Sequence, residues 1–127
     1  MSGQVSPLKS FTNTLLQFFD DLSETYPEEK DIKMATEALK AIKASNPRLL
    51  LTMFMTAVHG PCRDSIMNRD EEAVIKMANE ILNSQYSEIS FAFWIFDKHW
   101  KTMSEQNKNN VWKYITALVI LAEKATA

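Results

Sequence analysis

Apolar and polar positions along this chain recur with the period of a helix almost throughout, most completely near the C-terminal end. From Val111 to Ala122 only Lys113 and Thr116 are polar, and a helix that apolar must be largely enclosed by its neighbours. At the helical period Val111, Trp112, Ile115, Leu118, Val119 and Ala122 share one wide face. Tyr114 and Leu121 lie on its flank, and Lys113, Thr116 and Lys124 point the other way. The stretch from Ser104 to Ala127 is therefore expected to be a buried C-terminal helix on which the earlier helices pack. Asn107, Asn109 and Asn110 are weak helix formers and leave its first turn open.

The same pattern places the earlier helices. Residues Met1 to Val5 read as a frayed tail, after which Ser6 caps and Pro7 occupies a first helical position. Leu8, Phe11, Leu15, Phe18, Phe19, Leu22 and Tyr26 follow at three- and four-residue spacing, and Pro27 ends that helix and opens the next. The second helix has Glu28, Glu29 and Asp31 in its first turn and Lys40 and Lys43 in its last, complementing the helix dipole. Its apolar stripe is Ile32, Ala35, Ala38, Leu39 and Ile42. Asn46 and Pro47 repeat the cap-plus-proline start, and Leu49, Leu50, Leu51, Met53, Phe54, Met55, Ala57 and Val58 run apolar on nearly every side, predicting a second buried element. Gly60 and Pro61 are expected to end it, with a short turn through Ile66 and Met67. Asp70 caps a helix carrying Val74, Met77, Ala78, Ile81 and Leu82. Ile89, Phe93, Phe96 and Trp100 give one more, aromatic-rich helix.

No stretch alternates with period two between turn signals, so no strand is expected. The fold expected is all-α: a compact single domain over residues 6–127, built of about six or seven short helices. Proline starts at Pro27, Pro47 and Pro61 argue for mixed packing angles over long parallel helices. A chain of 127 residues fits one sizeable core and hardly two.

Composition narrows the function classes. A net charge of −2 with both signs interspersed disfavours binding that relies on bulk positive charge, as on nucleic acids or anionic membranes. A single cysteine, Cys62, allows no intrachain disulfide and suits a reducing, cytoplasmic setting. MSGQVSPLKSF lacks an apolar leader core, and the longest apolar run is about half of the roughly 20 residues a spanning helix needs, so no membrane partner is expected.

Candidate chemistry is sparse. His59 and Cys62 are spaced like half of a zinc site or a thiol beside a base, but no second ligand pair completes a metal set, and the simpler reading is a packed pair at a helix end. Asp97 and His99, two apart, point in different directions on a helix. The acidic clusters at residues 28–31 and 70–72 are explained by helix starts. Two glycines can hardly build a phosphate cradle, and no nucleotide, hydrolase or metalloprotease motif can be written. No catalytic residue, metal or cofactor is assigned, and the chain is read as a non-enzyme.

Two surfaces remain. Lys98, Lys101, Lys108 and Lys113 lie near Trp100, Trp112 and Tyr114, a basic and aromatic mixture that nucleic-acid surfaces use but that lysines snorkelling around core tryptophans explain more simply. Phe91 and Trp94 stand off the Ile89, Phe93, Phe96, Trp100 stripe and are candidate anchors of a partner-binding surface, with methionines nearby able to adapt. The alternative buries both under the turn after Pro61.

The runs FDKHWKTMSEQNKNNVWKYITALVILAEK and FTNTLLQFFDDLSETYPEEKDIK resemble small helical proteins of large nucleocytoplasmic DNA viruses. The resemblance is carried mainly by N-K-x-x-[IV]-W-K-Y, here Asn107 to Tyr114, and spans nearly the whole chain. It implies a protein made in the infected cytoplasm or packaged in a virion, and it transfers no catalytic or binding residue. The function expected is a non-enzymatic protein-interaction or self-association module, with a nucleic-acid-associated protein using the Lys98 to Lys113 surface as the alternative.

Overall fold

Helix starts and stops written into the sequence set most of the architecture. The structure is a computed structural model that describes residues 6–84 and 98–126, the side chains of 81–84 excepted. Among the described residues every regular element is helical and there is no strand. In chain order they are α1 (Pro7–Thr25), α2 (Lys30–Ser45), α3 (Pro47–Phe54), a π segment (Met55–His59), α4 (Gly60–Met67), α5 (Glu71–Ser84), a 3-10 turn (Trp100–Thr102) and α6 (Glu105–Thr126). The expected tail at residues 1–5 lies outside the described residues, as does most of the expected Ile89 to Trp100 helix.

Side chains of the expected types cap several starts. Ser6 Oγ accepts from the Lys9 amide at 3.2 Å, Asp70 Oδ1 from Ala73 at 3.2 Å and Ser104 Oγ from Asn107 at 3.1 Å. That last bond decides where α6 begins despite its asparagines. Asn46 precedes Pro47 as expected but makes no side-chain cap bond. Pro27 ends α1 without opening α2, which begins at Lys30, so Glu28 and Glu29 precede the helix and only Asp31 lies in its first turn.

The main departure from the sequence reading is at Gly60 and Pro61, which do not end a helix. Residues 47–67 run as one rod, with the π segment at its middle, so the described residues form five rods where six or seven short helices were expected. In an α-helix the Pro61 ring would collide with the Ala57 carbonyl, and Pro61 has no N–H to give it. The wider π turn relieves this: the Gly60 amide reaches back five residues to the Met55 carbonyl, and the helix continues. Gly60 itself is right-handed helical, φ −53 and ψ −58. The rod stops instead at Arg69, which takes the left-handed conformation with φ 50. There the amides of Arg69 and Asp70 bond to the carbonyls of Ile66 and Ser65, closing a Schellman motif.

Every described α-helix sends buried side chains into one core cluster. The face predicted for α6 is the buried one residue for residue: Val111, Trp112, Ile115, Leu118, Val119 and Ala122. From α1 it meets Phe11, Leu15, Phe18, Phe19 and Leu22. Ile32, Ala35 and Leu39 of α2 and Leu50, Leu51 and Phe54 of α3 close the other sides, with Phe54 edge-on to Phe11 at 5.2 Å. Trp100 and Trp112 pack edge to face at 5.6 Å. The α3 rod is not enclosed all round as expected: Leu49 is 42% exposed, and Met53 and Met55 only flank the core. Met34, at 69% exposed, fills no core either. Two buried threonines are satisfied locally, Thr12 on the Lys9 carbonyl and Thr36 on that of Ile32.

Two stability predictions follow from this packing. Trp112→Ala should lower unfolding free energy by about 3 to 5 kcal/mol, as large aromatic truncations in cores do. A loss under about 1 kcal/mol in urea titration would make α6 peripheral. The two turn positions should respond in the unusual direction. A Cβ at Gly60 would meet only the Met55 carbonyl oxygen at an ordinary 3.5 Å, so Gly60→Ala should stabilise by about 0.5 to 1 kcal/mol. Arg69→Gly, relieving the left-handed strain, should gain up to about 1 kcal/mol. Losses at both positions would contradict the backbone described.

Candidate functional site

An open cleft of about 710 Å³ lies between α1 and the first half of α6. Phe18, Leu22, Val111 and Met103 form its apolar floor; Asp21, Glu24, Asn107, Asn110 and Lys113 supply polar groups, and Tyr26 and Tyr114 do both. It arises from helix geometry. Asp20 and Asp21 are neighbours in sequence and so project about 100° apart. Asp20 turns toward α2, where Lys40 pairs with it at 3.2 Å, while Asp21 turns toward α6 and accepts the Tyr114 phenol. Gln17, one turn earlier, donates to the other Asp21 oxygen at 3.0 Å. The Tyr114 ring leans on Phe18 at 5.1 Å and 30°. Burial first, then the hydrogen bond and charge of Asp21, push the Tyr114 phenol up to about 12. Tyr26 is also raised, by burial and then by the Glu28 charge.

A second polar cluster ties the α3 rod to the end of α6. His59 Nε2 donates to Glu123 Oε2 at 2.8 Å, and Arg63 Nε reaches the same oxygen at 3.0 Å. The His59 bond, then that of Arg63, hold the Glu123 carboxyl below its usual range. His59 and Cys62 do not work together: Cys62 is fully buried, and burial pushes its thiol up to about 11, far from a nucleophile at neutral pH. Among the described residues no three His, Cys, Asp or Glu side chains gather as metal ligands.

A third cluster accounts for much of the lysine surface. Glu29 accepts from Lys98 at 3.1 Å and from His99 at 3.3 Å, and the His99 ring stacks on Tyr26 at 4.1 Å. Trp100 donates its indole N–H to Glu71. Lys108 lies over the Trp100 ring at 5.4 Å, with Glu105 at 3.9 Å. Of the lysines singled out from the sequence, Lys98 and Lys108 thus face a carboxylate or an indole, and Lys101 is exposed on the 3-10 turn. Phe91 and Trp94 lie outside the described residues. The sequence reading missed Asp21 and Glu123, whose partners are far along the chain. A weak signal existed for the first: Tyr114 reads as the polar-tipped flank of an apolar face, and such a phenol, when buried, needs an acceptor.

Compared with protein-family models, with curated proteins and with solved structures, the chain matches none, so its function has to be read from its own geometry.

The Tyr114 bond makes stability pH-dependent with a definite sign. A phenol whose folded pKa is about 12 against an ordinary 10.0 favours the folded state fully below pH 10, and that contribution is lost as pH rises through 12. Denaturant titrations across this window should show a smaller alkaline loss for Tyr114→Phe than for the parent. An equal loss would mean that Tyr114 titrates as an ordinary surface phenol.

Proposed function

We propose that this chain is a non-enzymatic protein-interaction module and that the α1–α6 cleft is its contact site. The observation that carries the reading is the combination of an open cleft with an apolar and aromatic floor and a polar rim, the arrangement by which grooves between helices take up partner segments. Support also comes from what surrounds the ionisable groups. His59, His99, Glu29, Glu71 and Glu123 are engaged in cross-ties between elements, and the buried Cys62 thiol is held protonated. The Phe91 and Trp94 surface remains part of the proposal as a separate candidate. The likeness of the Asn107 to Tyr114 run to proteins of large DNA viruses supports seeking that partner among viral or host proteins of an infected cell.

Photo-crosslinking in the cells that make the protein tests the cleft directly. A benzophenone side chain at Asn110, on the cleft rim, should yield protein adducts, and the same group at exposed Lys124 should yield far fewer. Equal yields at both sites, or adducts made mainly of nucleic acid, would overturn the assignment.

A further inference from the structure

The shape of the cleft and the state of one carboxylate within it specify what it takes up. Thr14, Phe18, Asp21 and Thr25 succeed one another at three- and four-residue spacing along α1, and Asn107, Asn110, Tyr114 and Ala117 do so along α6. The walls therefore run lengthwise, roughly 16 Å at the helical rise, which suits an elongated peptide better than a compact molecule.

Asp21, partway along, is half-buried and, among the described residues, bonded to two neutral donors, the Gln17 amide and the Tyr114 phenol. A carboxylate offers about four lone-pair sites, so acceptor capacity remains. Among the described residues no cation pairs with Asp21 or with Glu24 one turn on, whereas adjacent Asp20 has Lys40. The lining thus sets two carboxylates against one ammonium, that of Lys113. The half-buried Tyr26 and Tyr114 rings offer surface for an aliphatic stem and attract a cation by their faces.

We propose that the α1–α6 cleft binds an apolar peptide segment of a partner protein that presents a lysine or arginine, with Asp21 as its counter-ion and Glu24 reinforcing the field. This rests on the cleft being the contact site. The stem lies against the tyrosine rings, and the ammonium or guanidinium makes the charge-assisted bond that no cation among the described residues makes to Asp21.

The test is selection of a randomised peptide display library on the intact protein, with counter-selection on Asn110→Trp, which fills the cleft from an exposed position. Enriched peptides should carry lysine or arginine beside apolar residues and should bind about tenfold more weakly to Asp21→Asn, which keeps the acceptor for Tyr114 and removes the charge. The exposed change Glu24→Gln should weaken binding in the same direction by less, and it provides a readout if Asp21→Asn misfolds. Peptides that need an open cleft but lack a basic residue, or that are indifferent to both carboxylate changes, would overturn this inference and leave the contact site standing. Failure to enrich any peptide that prefers the parent over Asn110→Trp would overturn both. Arginine amide alone binding as tightly as the selected peptides would overturn the peptide occupant in favour of a free organic cation.

Discussion

The seam between α1 and α6 is the contact on which the rest of this structure depends. α1 packs more extensively on α6 than on any other described element, and in the core to which the two contribute, Phe11, Leu15, Phe19, Leu118, Val119 and Ala122 are removed from water almost completely. Burying such side chains contributes about 1.5 to 3 kcal/mol each, an upper range because the unfolded chain already hides some of that surface. Ala122 is as important for what it lacks as for what it buries, since a small residue at a fully buried position lets neighbouring elements come close. The other helices are then arranged around a pair already fixed: α2 and α3 close one side, and the π-bearing rod reaches the far end of α6 through Glu123.

The seam also creates the cleft. Apolar packing is continuous along the C-terminal half of α6, but toward its N-terminal half the α1 residues on the shared edge become Asp21, Glu24 and Thr25, and the α6 residues become Asn107, Asn110 and Lys113. Polar side chains can be buried without cost only where each finds a hydrogen-bond partner, so apolar closure stops there and the two helices leave an open groove. The Asp21 to Tyr114 bond spans that groove and fixes the relation of its walls. The same interaction that completes the core at one end therefore leaves a shaped, partly charged recess at the other.

Carboxylates perform several of the other cross-ties. Glu29 gathers Lys98 and His99, Glu71 takes the Trp100 indole, and Glu123 takes His59 and Arg63. Partly exposed pairs of this kind contribute little to stability one by one. Their effect is on register, because each joins residues far apart in sequence. Residues that look like chemistry in the sequence, the two histidines above all, are consumed in this way. Among the described residues Asp21 and Glu24 keep acceptor capacity with no cation against them, and that contrast is why the functional reading centres on the cleft.

Helix class, the caps at Ser6 and Asp70, and the buried face of α6 were all determined by the sequence alone. Each depends on interactions within about one turn, or on a periodicity that any enclosing neighbour would satisfy. The fate of Gly60 and Pro61 was not legible. Local rules make them a stop, yet core residues on both sides, Ala57 and Val58 before and Cys62 and Ile66 after, favour one continuous rod, and a π turn accommodates the proline inside it. Nor could local rules say that Arg69 would adopt the left-handed stop. Tertiary structure alone decided the pairing of Asp21 with Tyr114 and of Glu123 with His59, because spacing along the chain carries no information about which face of one helix meets which face of another. The cleft belongs to that second class: its walls are two ordinary amphipathic faces, and only their docking turns a carboxylate on one and an aromatic flank on the other into a site.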